Sequence, residues 1–148
     1  MAERYHEVFV PFTDVYEEAG STILEELTKE DHKNLVVIPL PFINHLHSQA
    51  KNGRGGDADK FVNKIRRIQR RSERIPTEDG VALYHASEGL DIALVDKPIC
   101  DKSRFSMTTL EEKISKVFKS ESGRPTLLTG EADLQIKYES RGIKIEKP

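Results

Sequence analysis

The chain has 148 residues, 36% of them apolar and 32% charged, with a formal net charge of -2, one cysteine and no tryptophan. That is one ordinary domain with enough apolar material for a real core, too apolar for a disordered chain. The lone Cys100 excludes a disulfide framework and a cysteine-rich zinc site. With no secretory pattern at the N-terminus and no apolar run near the ~18 residues that spanning needs, the chain reads as soluble, cytoplasmic and free of membrane.

Residues 7–12 (EVFVPF) predict a short strand that Pro11 ends early. Residues 21–31 (STILEELTKED) predict a helix capped by Ser21 or Thr22, with Glu25 and Glu26 in its first turn. Residues 35–40 (LVVIPL) form a nearly continuous apolar run, the pattern of a parallel strand covered on both faces. A helix over residues 42–50 follows, with Pro41 near its first turn. Residues 51–56 (KNGRGG) are a loop. Asp57 or Asp59 caps a long helix to about Glu73, in which Phe61, Val62, Ile65 and Ile68 make one apolar stripe.

Residues 81–85 and 90–95 predict two strands joined as a β-hairpin, with Gly89 suited to positive φ. A helix from Thr108 or Thr109 to about Lys119 has capping-box spacing between Thr109 and Glu112. Residues 125–129 (PTLLT) are a further buried strand, and Gly130 is a turn. Residues 133–140 form a short helix closed by Gly142, and residues 143–145 form a last strand. Strands alternating with helices predict a single three-layer α/β/α domain over residues 1–148 on a mostly parallel sheet. Its site belongs at the carboxyl ends of the strands, near residues 12–14, 40–44 and 129–131.

Charge is unevenly placed. Residues 51–75 hold nine Lys/Arg against three Asp/Glu, while the remainder holds 14 against 22. Arg54, Lys60, Lys64, Arg66, Arg67, Arg70, Arg71 and Arg74 concentrate there. A solvated helix face is the ordinary explanation. The local excess makes contact with RNA or single-stranded nucleic acid an equal expectation, through phosphates rather than stacked bases, because no aromatics interleave. His45 and His47, two apart on a helix, point to different sides and do not predict a shared zinc.

The segment PTLLTGEADLQIKYESRGIKIE (residues 125–146) resembles the end of PIN domains, most closely those that precede PhoH-type ATPases. Thr129, Leu134, Lys137, Gly142, Ile143 and Glu146 fall in step. VVIPL (residues 36–40) resembles that family's second strand, residues 54–68 its Gly-Arg loop and basic helix, and residues 80–96 a hairpin insertion of this group. The resemblance implies a nuclease ancestry in which clustered acids hold Mg²⁺ or Mn²⁺ to activate water against a phosphodiester.

Carried over by position, Phe12 stands where the family has its first acid, with Asp14 two residues later. Asn44 stands at the second acid. Glu111 or Glu112 matches the third, and Glu131 the fourth, with Asp133 as a near alternative. Asp14 and Glu131 are the implied metal ligands. The same residues have ordinary explanations: Glu111, Glu112, Glu131 and Asp133 sit where acids offset a helix dipole, and Asp14 suits a turn or a cap.

The leading expectation is a PIN-like domain with an incomplete metal site, weakly active or inactive, acting by binding nucleic acid or a partner protein. The alternatives are an active Mg²⁺- or Mn²⁺-dependent ribonuclease that uses Asp14, Glu111 or Glu112, Glu131 and Asp133, and a pure protein-interaction module. A homo-oligomer is compatible with any of them.

Overall fold

The computed structural model describes residues 3–20, 22–28, 33–51, 58–75, 81–95, 110, 112, 118–120, 125–140, 142 and 144–146. In chain order the elements are β1 (Glu3–Tyr5), β2 (Val8–Pro11), α1 (Thr13–Ala19), α2 (Ile23–Glu26), β3 (Asn34–Pro39), α3 (Leu40–Lys51), α4 (Ala58–Arg71), β4 (Arg74–Ile75), β5 (Val81–Ser87), β6 (Leu90–Val95), β7 (Phe118–Ser120), β8 (Thr126–Leu128), α5 (Ala132–Glu139) and β9 (Lys144–Glu146). This is an α/β domain, and none of its described helices is long and apolar enough to cross a membrane.

Seven strands form the main sheet in the order β4-β5-β6-β3-β2-β8-β9, and β1 pairs with β7 in a separate two-stranded sheet. The pairs β2–β3, β2–β8, β3–β6 and β8–β9 are parallel, and β4–β5 and β5–β6 are antiparallel. The chain leaves β2 towards β3 and β6 on one side, then crosses to β8 and β9 on the other. That reversal opens a crevice between the carboxyl ends of β2 and β8, the place where open α/β sheets hold ligands.

The burial pattern follows from strand position. Every residue of β2, β3, β6 and β8 is buried, as expected of central parallel strands made of continuous apolar runs. β5, nearer the edge, alternates buried and partly exposed residues from Val81 to Ser87. α4 buries Phe61, Val62, Ile65 and Ile68, the stripe read from its 3.6-residue period. It packs on α3, α1 and β5. Tyr16 of α1 stacks on Phe61 with ring centroids 4.1 Å apart. Its buried hydroxyl has no hydrogen-bond partner, and burial pushes the phenol well above its usual range.

Several expectations are corrected. Of the segment predicted as a helix over residues 21–31, the described residues 22–28 supply one turn, α2, with Leu27 as its C-cap. Thr28 folds its hydroxyl back onto the Leu24 carbonyl at 2.7 Å. Asp14, read as a turn or cap residue, lies in the first turn of α1, a helix without a long apolar stripe. Leu110 and Glu112 are helical, but the helix expected to reach Lys119 ends sooner, since Phe118–Ser120 pairs in parallel with β1. The β5–β6 turn does not use positive φ at Gly89; among described residues Gly142 alone has it, at 77°. Gly89 is buried, and its carbonyl accepts the Asn34 N–H at 2.9 Å. Thr109, the other half of the expected capping pair with Glu112, the loop at residues 52–56 and Cys100 lie outside the described residues.

The amino end of the sheet is organised by one buried acid. Asp91, 1% exposed, interrupts the apolar run of β6. Its Oδ2 accepts the Tyr5 hydroxyl at 2.8 Å and lies 3.1 Å from Lys33 Nζ, while its Oδ1 is 3.0 Å from His85 Nδ1. Three partners satisfy a carboxylate that would otherwise be costly to bury, and Tyr5 thereby ties the β1–β7 sheet to the main one. Asp91→Ala is expected to lower the unfolding free energy by about 3 kcal/mol. Tyr5→Phe removes one neutral donor and is expected to cost about 1 kcal/mol. Urea midpoints of the two variants compare them, and equal costs refute the view of Asp91 as the hub.

Candidate functional site

Sequence and topology place the candidate site in the crevice between β2 and β8. Phe12 closes β2 by donating its N–H to the Leu128 carbonyl at 2.9 Å, then serves as N-cap of α1 with extended backbone and no side-chain cap bond. Asp14, in the first turn of α1, points its half-buried carboxylate across to the segment after β8. Oδ1 accepts the Thr129 hydroxyl at 3.0 Å, and Oδ2 accepts the Gly130 N–H at 2.7 Å. The Thr129 hydroxyl oxygen in turn accepts the Glu131 N–H at 3.1 Å, and Gln135 Nε2 donates to the Thr129 carbonyl at 2.8 Å. A Cβ added at Gly130 would stand 3.4 Å from Asp14 Oδ2, an ordinary contact.

Of the other expected acids, Glu131 is joined to this latch through its backbone N–H. Glu131 is exposed at the N-cap of α5 and makes no side-chain cap bond. Asp133 is exposed in the first turn of α5, where an acid offsets the helix dipole. Glu112 is exposed, and Glu111 lies outside the described residues. Phe12, at the family's first acidic position, is buried and meets Phe42 of α3 edge-on at 5.2 Å. Asn44, at the second, is exposed on α3.

Among the described residues no three His, Cys, Asp or Glu side chains gather as a metal-holding group. A carboxylate offers about four lone-pair positions, and Asp14 already uses two. The described donors therefore do not fit a two-ion centre, which needs several hard oxygen ligands around each ion.

The cations of the basic segment differ in exposure and in their contacts. Lys64 is half-buried and bonds Glu25 of α2 at 2.7 Å. That contact, against the opposing effect of partial burial, holds the Glu25 carboxyl below its usual range. Arg74 of β4 donates to the Val81 carbonyl at 3.2 Å. Arg54 lies outside the described residues. Lys60, Arg66, Arg67, Arg70 and Arg71 are exposed.

Two clefts flank α4. One, of about 220 Å³, has Leu24, Ile68 and Leu90 on its floor, Lys64, Arg67 and Arg71 along its wall, and Glu25 opposite. The other, of about 250 Å³, brings together His47, Lys51, Asp59 and Arg66. His45 faces away from that cleft, 3.6 Å from Glu17, so the two histidines diverge as their spacing predicts.

The cleft holding Arg67 and Arg71 includes Ala86, Ser87 and Leu90 of the β5–β6 turn. Leu90 pairs with Asn34, the first residue of β3, so this cleft lies at the amino end of the parallel strands. Asp14 and Thr129 lie at the carboxyl end. At ~3.3 Å per residue the six residues of β3 separate the two ends by roughly 20 Å. The charge count pointed to α4, but the parts that Thr129, Gly130, His47, Lys51 and Asp91 play need tertiary contacts. The lone acid in LDIALV was the available signal for Asp91.

No family model matches the chain, and no curated protein matches it significantly.

Two predictions follow from these contacts. Asp14→Ala and Thr129→Val, combined in a double-mutant cycle, should show a coupling of at least about 0.5 kcal/mol in denaturant unfolding, and additivity refutes the latch. For Glu25 the folded pKa is depressed, so its contribution is present above the ordinary carboxylate pKa near ~4.3 and disappears as pH falls through the lower folded value. The small stability advantage of wild type over Glu25→Gln, as of a screened surface pair, should hold at pH 7 and vanish in acid. A pH series of thermal melts reads this out.

Proposed function

We propose that this chain is a PIN-like, three-layer α/β/α domain whose acidic centre serves as a structural latch, and that it acts by binding nucleic acid through α4 rather than by cutting it. The observation that carries the reading is the double commitment of Asp14, whose two carboxylate oxygens accept the Thr129 hydroxyl and the Gly130 amide. An acid kept for catalysis needs its free lone pairs turned to ions and water, whereas this one joins α1 to the start of α5. The aromatic contact between Phe12 and Phe42 adds support, since an ionised ligand at Phe12 would have to be buried beside a ring.

The placement of charge supports the same reading. The exposed arginines of α4 belong to the end of the sheet away from Asp14. Phosphates held there would leave the scissile bond far from the Asp14 carboxylate. Helix, cations and clefts make a binding face by themselves, and affinity there should fall steeply with salt. Under this reading the domain is soluble, cytoplasmic and needs no metal.

Labelled single-stranded RNA incubated with Mn²⁺, Mg²⁺ or EDTA tests the first half, with wild type beside Glu131→Ala. No metal-dependent cleavage is expected. Metal-dependent cleavage abolished by Glu131→Ala would make this an active ribonuclease using Asp14, Glu131 and their neighbours. Retention of labelled nucleic acid tests the second half: Arg67→Glu with Arg71→Glu should weaken binding about tenfold or more and flatten its salt dependence. No retention by wild type at low salt would leave a pure protein-interaction module.

A further inference from the structure

We infer that α4 is a ridge that grips the two phosphate rows of a double-stranded nucleic acid, one on each flank, and not a single strand. The inference rests on the nucleic-acid reading of α4 given above.

Cations stand on both sides of the helix. Arg67 and Arg71, beside the Lys64–Glu25 pair, line the cleft towards the β5–β6 turn. Arg66 with Lys51 and His47 lines the cleft towards α3. Arg70 is exposed on the same helix. No ion pair to a described residue involves Arg66, Arg67, Arg70 or Arg71, so these guanidiniums can meet phosphates without first breaking an internal contact. The ridge itself is fixed, because Phe61, Val62, Ile65 and Ile68 are all buried beneath it. Holding the cations in place therefore costs side-chain freedom alone.

The aromatic inventory separates duplex from single strand. Among the described residues every Phe and Tyr is buried except Tyr84, which is half-buried in β5. Proteins that hold single strands without sequence preference rely on exposed rings on which unstacked bases settle, each worth about 1–3 kcal/mol. This surface has none to offer. A duplex keeps its bases stacked on each other and presents two rows of charge bordering a groove, which is what a helix with cations on both flanks complements.

Dimensions favour one form. An α-helix with its side chains is about 10–12 Å across, and the B-form major groove is about 12 Å wide. The A-form major groove is too deep and narrow to admit side chains. Duplex DNA is thus the tightest ligand expected, with recognition through phosphates and little sequence preference.

The test uses the full chain and fluorescence anisotropy across a salt series, with duplex DNA, duplex RNA and single-stranded RNA of equal length as probes. Duplex DNA should bind about tenfold or more tighter than single-stranded RNA. Lys51→Glu with Arg66→Glu on one flank, and Arg67→Glu with Arg71→Glu on the other, should each lower the slope of log affinity against log salt by roughly 2. All four residues are exposed, and unchanged melting temperatures would show that the variants fold. Duplex RNA binding as tightly as duplex DNA overturns the seating of α4 in a B-form major groove. Single-stranded RNA binding as tightly as duplex DNA, or one flank variant behaving like wild type, overturns the inference while leaving α4 a nucleic-acid face. No binding by any probe removes both.

Discussion

The carboxylate of Asp14 joins two segments that are 115 residues apart in sequence, at the point where the sheet changes its direction of winding. β2 and β8 pair through Phe9–Thr126, Val10–Leu127 and Pro11–Leu128, and the ladder ends there, because parallel strands must turn away into their helices. Without a further contact the chain would leave that edge through two loops with no cross-tie. Asp14 supplies the tie with a hydroxyl and an amide donor. Hydrogen bonds to a charged acceptor are the stronger kind, each worth about 1.5–3 kcal/mol. The start of α5, the position of Glu131 and the pairing of β9 beyond it all depend on where that turn is held.

The opposite end of the sheet meets the same problem with a different charge. Asp91 lies in a strand whose every residue is buried, and it draws Tyr5, Lys33 and His85 from three separate places in the chain. Asn34 continues the arrangement: its side chain accepts the Glu7 N–H at 3.2 Å and donates to the Leu27 carbonyl at 2.8 Å. Side-chain polar groups thus take over at both ends where the backbone ladder stops. A reading of acids as catalytic must first discount those that close the fold in this way.

The most legible parts of the chain were those governed by periodicity. LVVIPL read as a buried strand and LDIALV as a strand because no polar face interrupts them for long, and α4 read as a helix because its four apolar residues repeat at helical spacing. What escaped was short or depended on distant partners. α1 has seven residues and β1 and β7 three each, too few for a period to rise above chance. β7 was absorbed into a predicted helix because strand pairing with Glu3–Tyr5 overrides local propensity. Gly89 invited a left-handed turn, but the hairpin closes without one, and the carbonyl of Gly89 is used by β3 instead. At the candidate site the sequence placed Asp14, Thr129 and Glu131 at one end of the sheet. It did not foretell that Asp14 would face Thr129 and Gly130 and not its fellow acids, since side-chain direction depends on where α1 begins.

Charge distribution is the last step in deciding between cutting and holding. An enzyme acting on a phosphodiester needs its cations to deliver the substrate to its acids, because carboxylates alone repel the polyanion. Here Arg67 and Arg71 lie towards the amino end of strands roughly 20 Å long and Asp14 lies at the carboxyl end, farther apart than the ~8 Å screening length at physiological salt. Phosphates attracted by Arg67 and Arg71 therefore feel little of Asp14, and phosphates near Asp14 gain little from α4. A surface that concentrates positive charge on a rigid helix, away from Asp14, is suited to retaining a polyanion. The acidic end, with Asp14 turned inward on its own backbone, is suited to keeping the helix's scaffold in register while it does so.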